Sequence, residues 1–128
     1  ALVPSYPDGL DAEAFRFAAL EAAWKEAALP SEREHVTPFL YNHPERFRIL
    51  PVIAEHDLSA LRWTVDNPED FALVSAIYEA LYPLKPDFAM ADIIRLMEQR
   101  PELAQINRHI GRNEGFVRSL DADAKDTS

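Results

Sequence analysis

The stretch LRWTVDNPEDF, residues 61–71, decides how the chain reads. Over residues 61–65 the side chains of a strand would alternate, with Leu61, Trp63 and Val65 on one side and Arg62, Thr64 and Asp66 on the other. Pro68 suits the first position of a helix, which makes Asn67 the N-cap. Asp70 then falls at N3, where a carboxylate can return to the N-cap N–H, and Glu69 lies in the first turn, where the helix dipole favours negative charge. The spacing predicts a helix over 68–82 with Phe71, Val74, Ile77, Tyr78 and Leu81 on one face. Asp66 is surplus to that helix start. It stands at the carboxyl end of a strand, the edge where open α/β sheets bind ligands. A lone carboxylate there is an alternative cap or a solvated turn residue, or else a group for substrate or for Mg2+, which takes one or two carboxylates and completes its shell with water and phosphates.

Outward from this junction, SYPDGL is a turn in which Pro7 fixes φ and Gly9 permits a left-handed residue. LDAEAFRF alternates and predicts a short strand over 10–17. Residues 18–29 predict a helix with Leu20, Ala23, Trp24 and Ala27 in one stripe, an i,i+4 pair of Glu21 with Lys25, and a stop at Pro30. Ser31 with Glu34 three residues on has the capping-box pattern, for a helix over 32–41 bent or broken at Pro38. RFRILPVIA predicts a strand over 46–54, irregular from Pro51 onward. Helices follow over 88–99, with Met90, Ile93, Ile94 and Met97, and from Pro101 to a C-terminal Gly111. Trp24, Trp63 and Tyr78 read as core, and Arg95, Arg100, Arg108 and Arg112 as a solvated helical surface. Three short strands among more helices give an α/β class, helix-rich with a short few-stranded sheet. One domain over residues 1–120 and a disordered tail over 121–128 are expected.

The totals narrow the function. A net charge of −9 argues against nucleic acid as a partner, because phosphate backbones need clustered Lys and Arg. The absence of cysteine excludes disulfides, thiolate metal sites and cysteine nucleophiles, and fits a reducing, cytoplasmic setting. No apolar run approaches the length of a membrane span, and the opening ALVPSYPDG has neither the basic nor the apolar region of a signal peptide. His35, His43, His56 and His109 show no zinc-binding spacing, and no GxSxG elbow is present.

The stretches SEREHVTPFLYNHPERFRI, LRWTVDNPEDFALVSAIYEAL and INRHIGRNEGFVRSL, with YPDGLDAEAF upstream, resemble the C-terminal half of the cytidylyltransferase-like sugar nucleotidyltransferases. The branch they are most similar to is the spore coat polysaccharide biosynthesis and acylneuraminate cytidylyltransferase-like group, over residues 6–120. The resemblance implies a Rossmann-like nucleotidyltransferase fold that joins a nucleoside triphosphate to a sugar or sugar acid and releases pyrophosphate. It implies that Asp66, in a VDTPED-type motif, binds the catalytic Mg2+, with Asn67 where many members have Thr. It puts Asp11 and Glu13 beside the sugar, and likens the helix bearing Arg33 and His35 to one that touches the sugar substrate. The family's Gly- and Arg-containing loop ending in Pro-Gly-Lys has no counterpart in these 128 residues, nor has its second metal-binding Asp. That departure keeps a second expectation open: a non-catalytic α/β module that acts by self-association, as a homodimer, or through a protein partner.

Overall fold

The computed structural model describes residues 3–112 together with Leu120 and Ala124. The chain divides into two compact units, one of residues 1–3, 12–53 and 113–128, the other of residues 4–11 and 54–112. The family motif over residues 106–120 and the tail over 121–128 lie largely outside the described residues.

In the first unit α1 spans Phe17–Glu26, α2 Pro30–His35 and α3 Pro38–Asn42. Pro30 does more than stop α1, because it occupies the first position of α2. Glu32, not Glu34, therefore falls at N3, and its Oε2 accepts the N–H groups of Ala28 (3.3 Å) and Leu29 (3.5 Å). Its Oε1 accepts from Asn42 Nδ2 at 2.8 Å, which ties α2 to the end of α3. The helix expected over 32–41 is broken at Pro38, as its sequence predicts, and is two. Pro38 has no N–H to continue the ladder, and Val36 turns the chain with φ 66° and ψ −60° while Thr37 N–H donates to His35 C=O at 2.7 Å. This is a γ-turn of the positive-φ kind, strained for a β-branched residue. Ala23, Phe39 and Leu40 form the small core. Trp24, 68% exposed, is not part of it, and the face that packs is made by Ala19, Ala22, Ala23 and Ala27. The Glu21–Lys25 pair forms at 2.7 Å.

In the second unit α4 spans Pro68–Leu81 and α5 Met90–Gln99. Their core is Trp63, Leu73, Ile77, Leu96, Met97 and Leu103. The buried face of α4 runs through Asp70, Leu73 and Ile77, so Phe71 and Tyr78 point outward, rotated from the face that hydrophobicity alone selects. Between Pro101 and Gly111 a 3-10 turn, Leu103–Gln105, stands in place of the expected helix.

The short sheet is not found among the described residues. One isolated parallel bridge, Asp8 with Arg62, is all that forms, through Asp8 N–H to Leu61 C=O (2.9 Å) and Trp63 N–H to Asp8 C=O (2.7 Å). It does not lengthen, since the N–H groups of the next rungs close turns instead: Leu10 N–H donates to Pro7 C=O (3.1 Å) across Gly9, whose φ is 97°, and Leu61 N–H donates to Leu58 C=O (3.0 Å). Residues 10–14 bury neither alternating face, and residues 46–54 form no bridge, the N–H groups of Arg46 and Phe47 closing a turn on His43 C=O (3.0 and 3.1 Å). No helix of the described residues is long and apolar enough to cross a membrane.

Gly9 is required twice over. Its φ is left-handed, and a Cβ there would lie 2.6 Å from Thr64 N and 2.7 Å from Trp63 C, both backbone atoms. Gly9→Ala should cost at least about 2 kcal/mol, read as a lowered midpoint in urea denaturation. An unchanged midpoint would mean the bridge does not hold the segment.

Candidate functional site

The residues after the bridge build a polar cluster around one guanidinium. Arg62 is buried at the bridge, and all five of its N–H groups find acceptors. Nε donates to Asp70 Oδ1 (2.9 Å). Nη1 donates to Asp8 Oδ2 (3.1 Å) and to Gly111 C=O (3.1 Å). Nη2 donates to Asp66 Oδ2 (2.9 Å) and Asp70 Oδ2 (3.0 Å). Three carboxylates thus share one cation, a local surplus of negative charge.

The three have different jobs. Asp70 is fully buried. Besides Arg62 it accepts the backbone N–H groups of Asp66 and Asn67 (3.1 Å each), which is the helix-start role its N3 position predicts. It also accepts from Asn107 Nδ2 at 2.8 Å, and that same amide donates to Arg62 C=O at 3.0 Å. The Arg62 guanidinium is the largest influence holding the Asp70 carboxyl far below the usual carboxylate range; Asn107 and the two backbone N–H groups add to it, and burial opposes. Asp70 in turn raises Arg62 further above its ordinary value. Asp8 is buried beside Arg62 Nη1.

Asp66 is the exposed member, its side chain 62% accessible. It caps nothing with its carboxylate. Both of its side-chain hydrogen bonds, from Arg62 Nη2 and from Thr64 Oγ1 (3.4 Å), end on Oδ2. The geometry therefore suits a metal to the extent of one carboxylate, anchored by one oxygen and open at the other. Among the described residues no group of three or more His, Cys, Asp or Glu side chains could hold a metal by itself.

Asp11 does not join Asp66. Arg112 Nη2 grips both its oxygens at 2.7 and 2.8 Å, while Nη1 donates to Tyr6 C=O at 3.0 Å. Arg112 is thus a structural cation, unlike exposed Arg95 and Arg100. In the first unit Glu13 is exposed. On α2, Arg33 Nη1 donates to Trp24 C=O at 2.8 Å, and His35 Nε2 stands 3.8 Å from Glu34. Arg33 borders a cleft of about 130 Å³ whose other walls are Leu20, Ala23, Trp24, Ala27, Glu32 and Val36.

The sequence reading set Arg62 beside Asp66 and Asp70 at the cap but missed that one guanidinium joins them. It also missed Asp8 and Asn107, whose partners lie far along the chain. The available signal was the arginine itself: a charged residue inside LRWTV, between large apolar side chains, can be buried only if carboxylates meet it.

No protein-family model matches the chain. It is 33% identical over 104 residues to an uncharacterised protein of Methanocaldococcus jannaschii, covering 80% of this chain and 42% of that one. It is 31% identical over 74 residues to the spore coat polysaccharide biosynthesis protein SpsF of Bacillus subtilis, covering 56% of this chain and 30% of that one. Among solved structures it superposes on a cytidylyltransferase from Leptospira borgpetersenii with a TM-score of 0.72 and 29% identity, covering 79% of this chain and 42% of that one. The chain thus spans less than half the length of the relatives it matches.

Proposed function

We propose that the chain, similar in sequence and fold to cytidylyltransferase-like proteins, serves nucleotidyl transfer to a sugar or sugar acid. In that reaction a sugar hydroxyl attacks the α-phosphate of a nucleoside triphosphate, the bond to the β-phosphate oxygen breaks, and pyrophosphate leaves. The product would be an activated sugar for surface polysaccharide, in keeping with the name of the Bacillus relative.

The observation that carries the reading is Asp66: an exposed carboxylate at the entrance to α4, unused by the cap and held by one oxygen. Asp66 would hold Mg2+, which when bound neutralises charge on the phosphate oxygens. Arg33, a cation on α2, is suited to the carboxylate of a sugar acid, with His35 beside it on the same helix. Glu13 would accept sugar hydroxyls. Asp11 would do so through the oxygens that Arg112 orients.

In the complete gene product, Asp66→Ala should lower Mg2+-dependent pyrophosphate release from CTP and a panel of sugar acids by about 100-fold or more, with the thermal midpoint little changed. Turnover equal to wild type would remove the metal role.

A further inference from the structure

We infer that Arg62 is the positioning residue for Asp66, its guanidinium fixing the carboxylate that a divalent cation takes from this chain. The inference rests on the metal reading above and goes beyond it, because nothing in that reading requires Arg62.

An exposed aspartate outside a helix is free to rotate, and immobilising it has an entropic cost. Arg62 removes that freedom because it is itself immovable: it is buried, doubly bonded to fully buried Asp70, and bonded to Asp8. Asp70 and Asp8 already balance its charge without Asp66. The bond from Nη2 to Asp66 Oδ2 therefore does little for Arg62, and its consequence falls on Asp66. Thr64 Oγ1 donates to the same oxygen, so both tethers end on Oδ2 of a side chain that is otherwise accessible. Mg2+ demands near-octahedral geometry, and partners that orient a ligand contribute to affinity without touching the ion. The two surplus negative charges of the cluster favour a cation there over a ligand anion.

The test uses Mn2+ as a paramagnetic probe of the isotopically labelled chain, read residue by residue as broadening of backbone amide signals. Broadening should centre on residues 64–67 in the wild type and vanish in Asp66→Asn. Arg62→Lys keeps the charge, but one ammonium cannot bridge Asp70 and Asp66 together. It should need about tenfold more Mn2+ for the same broadening, a shift that a purely structural role would not produce in a variant that still melts cooperatively. If Arg62→Lys leaves the Mn2+ dependence unchanged while Asp66→Asn abolishes it, the positioning role is wrong and the metal reading stands. If Asp66→Asn leaves the broadening in place, or the wild type shows none there, both fail. Should Arg62→Lys not fold, the wild type decides by titration with Mg2+. Arg62 side-chain N–H signals that move with the same midpoint as the Asp66 amide support the inference, and stationary ones overturn it.

Discussion

Asp70→Ala should unfold the second unit at temperatures where the wild type is intact. The carboxylate is fully buried and accepts from Arg62 twice, from Asn107, and from the backbone N–H groups of Asp66 and Asn67. Removing it strands the guanidinium and an amide in the interior and leaves the first turn of α4 without its partner. Breaking one side of a buried, hydrogen-bonded ion pair costs about 3–5 kcal/mol, against a total stability of about 5–15 kcal/mol for a domain. The expected fall in melting temperature is on the order of 15–30 °C. Asp70→Asn should fare little better, since its NH2 would point a donor at groups that are themselves donors. Asp66→Ala is the contrast: it breaks an exposed pair with the same arginine and should cost no more than about 1 kcal/mol. Thermal melts of the three variants check this. Equal losses for Asp66→Ala and Asp70→Ala would mean the buried arginine is not the hub of the unit.

What could be read in advance follows from the range of each interaction. The start of α4 was legible because caps act within four residues, so Asn67, Pro68 and Asp70 declare it locally. The break near Pro38 was legible for the same reason, although Pro30 misplaced the start of α2: a proline both ends one helix and opens the next. The strands were not legible. Alternation in residues 10–17 and β-rich composition in residues 46–54 say that a segment could pair, but a partner is supplied by distant chain, and turns closed by Leu10 N–H and Leu61 N–H confine the bridge to Asp8 and Arg62. The site divided the same way. Asp66 stood out as the carboxylate the cap did not need. Arg62 with Asp8 spans 54 positions and Asn107 with Asp70 spans 37, and no local pattern encodes either pairing. Tyr78 and Trp24 misled because their size suggests burial, whereas the faces that pack are set by Leu73 and Ile77 in one unit and by alanines in the other.

Acid should destabilise the second unit from about pH 4 downward, and Asp70 should account for a distinct share of the loss. In the unfolded chain its carboxyl titrates near the ordinary aspartate value of about 3.9. In the folded chain Arg62 first, then Asn107 and the N–H groups of Asp66 and Asn67, hold it far lower. A depressed folded value contributes stability that is fully present above the unfolded value and is lost as pH falls toward the folded one. Between the two, the unfolded state binds a proton that the native state refuses, so this one group contributes a slope approaching about 1.4 kcal/mol per pH unit. Arg62 adds no slope there, because it is charged in both states. Glu26, Asp57 and Glu102, all exposed, and Asp92, paired with exposed Lys85, are also held low by their hydrogen-bond partners and make a shallower background. Urea denaturation at a series of pH values, with an osmolyte added to keep the weaker variant folded, separates the two contributions. Wild type should be level above about pH 5 and fall steeply below about pH 4. Asp70→Asn should start lower and fall less steeply, by about one proton. Parallel curves would show that the Asp70 carboxylate is not what the buried arginine holds ionised.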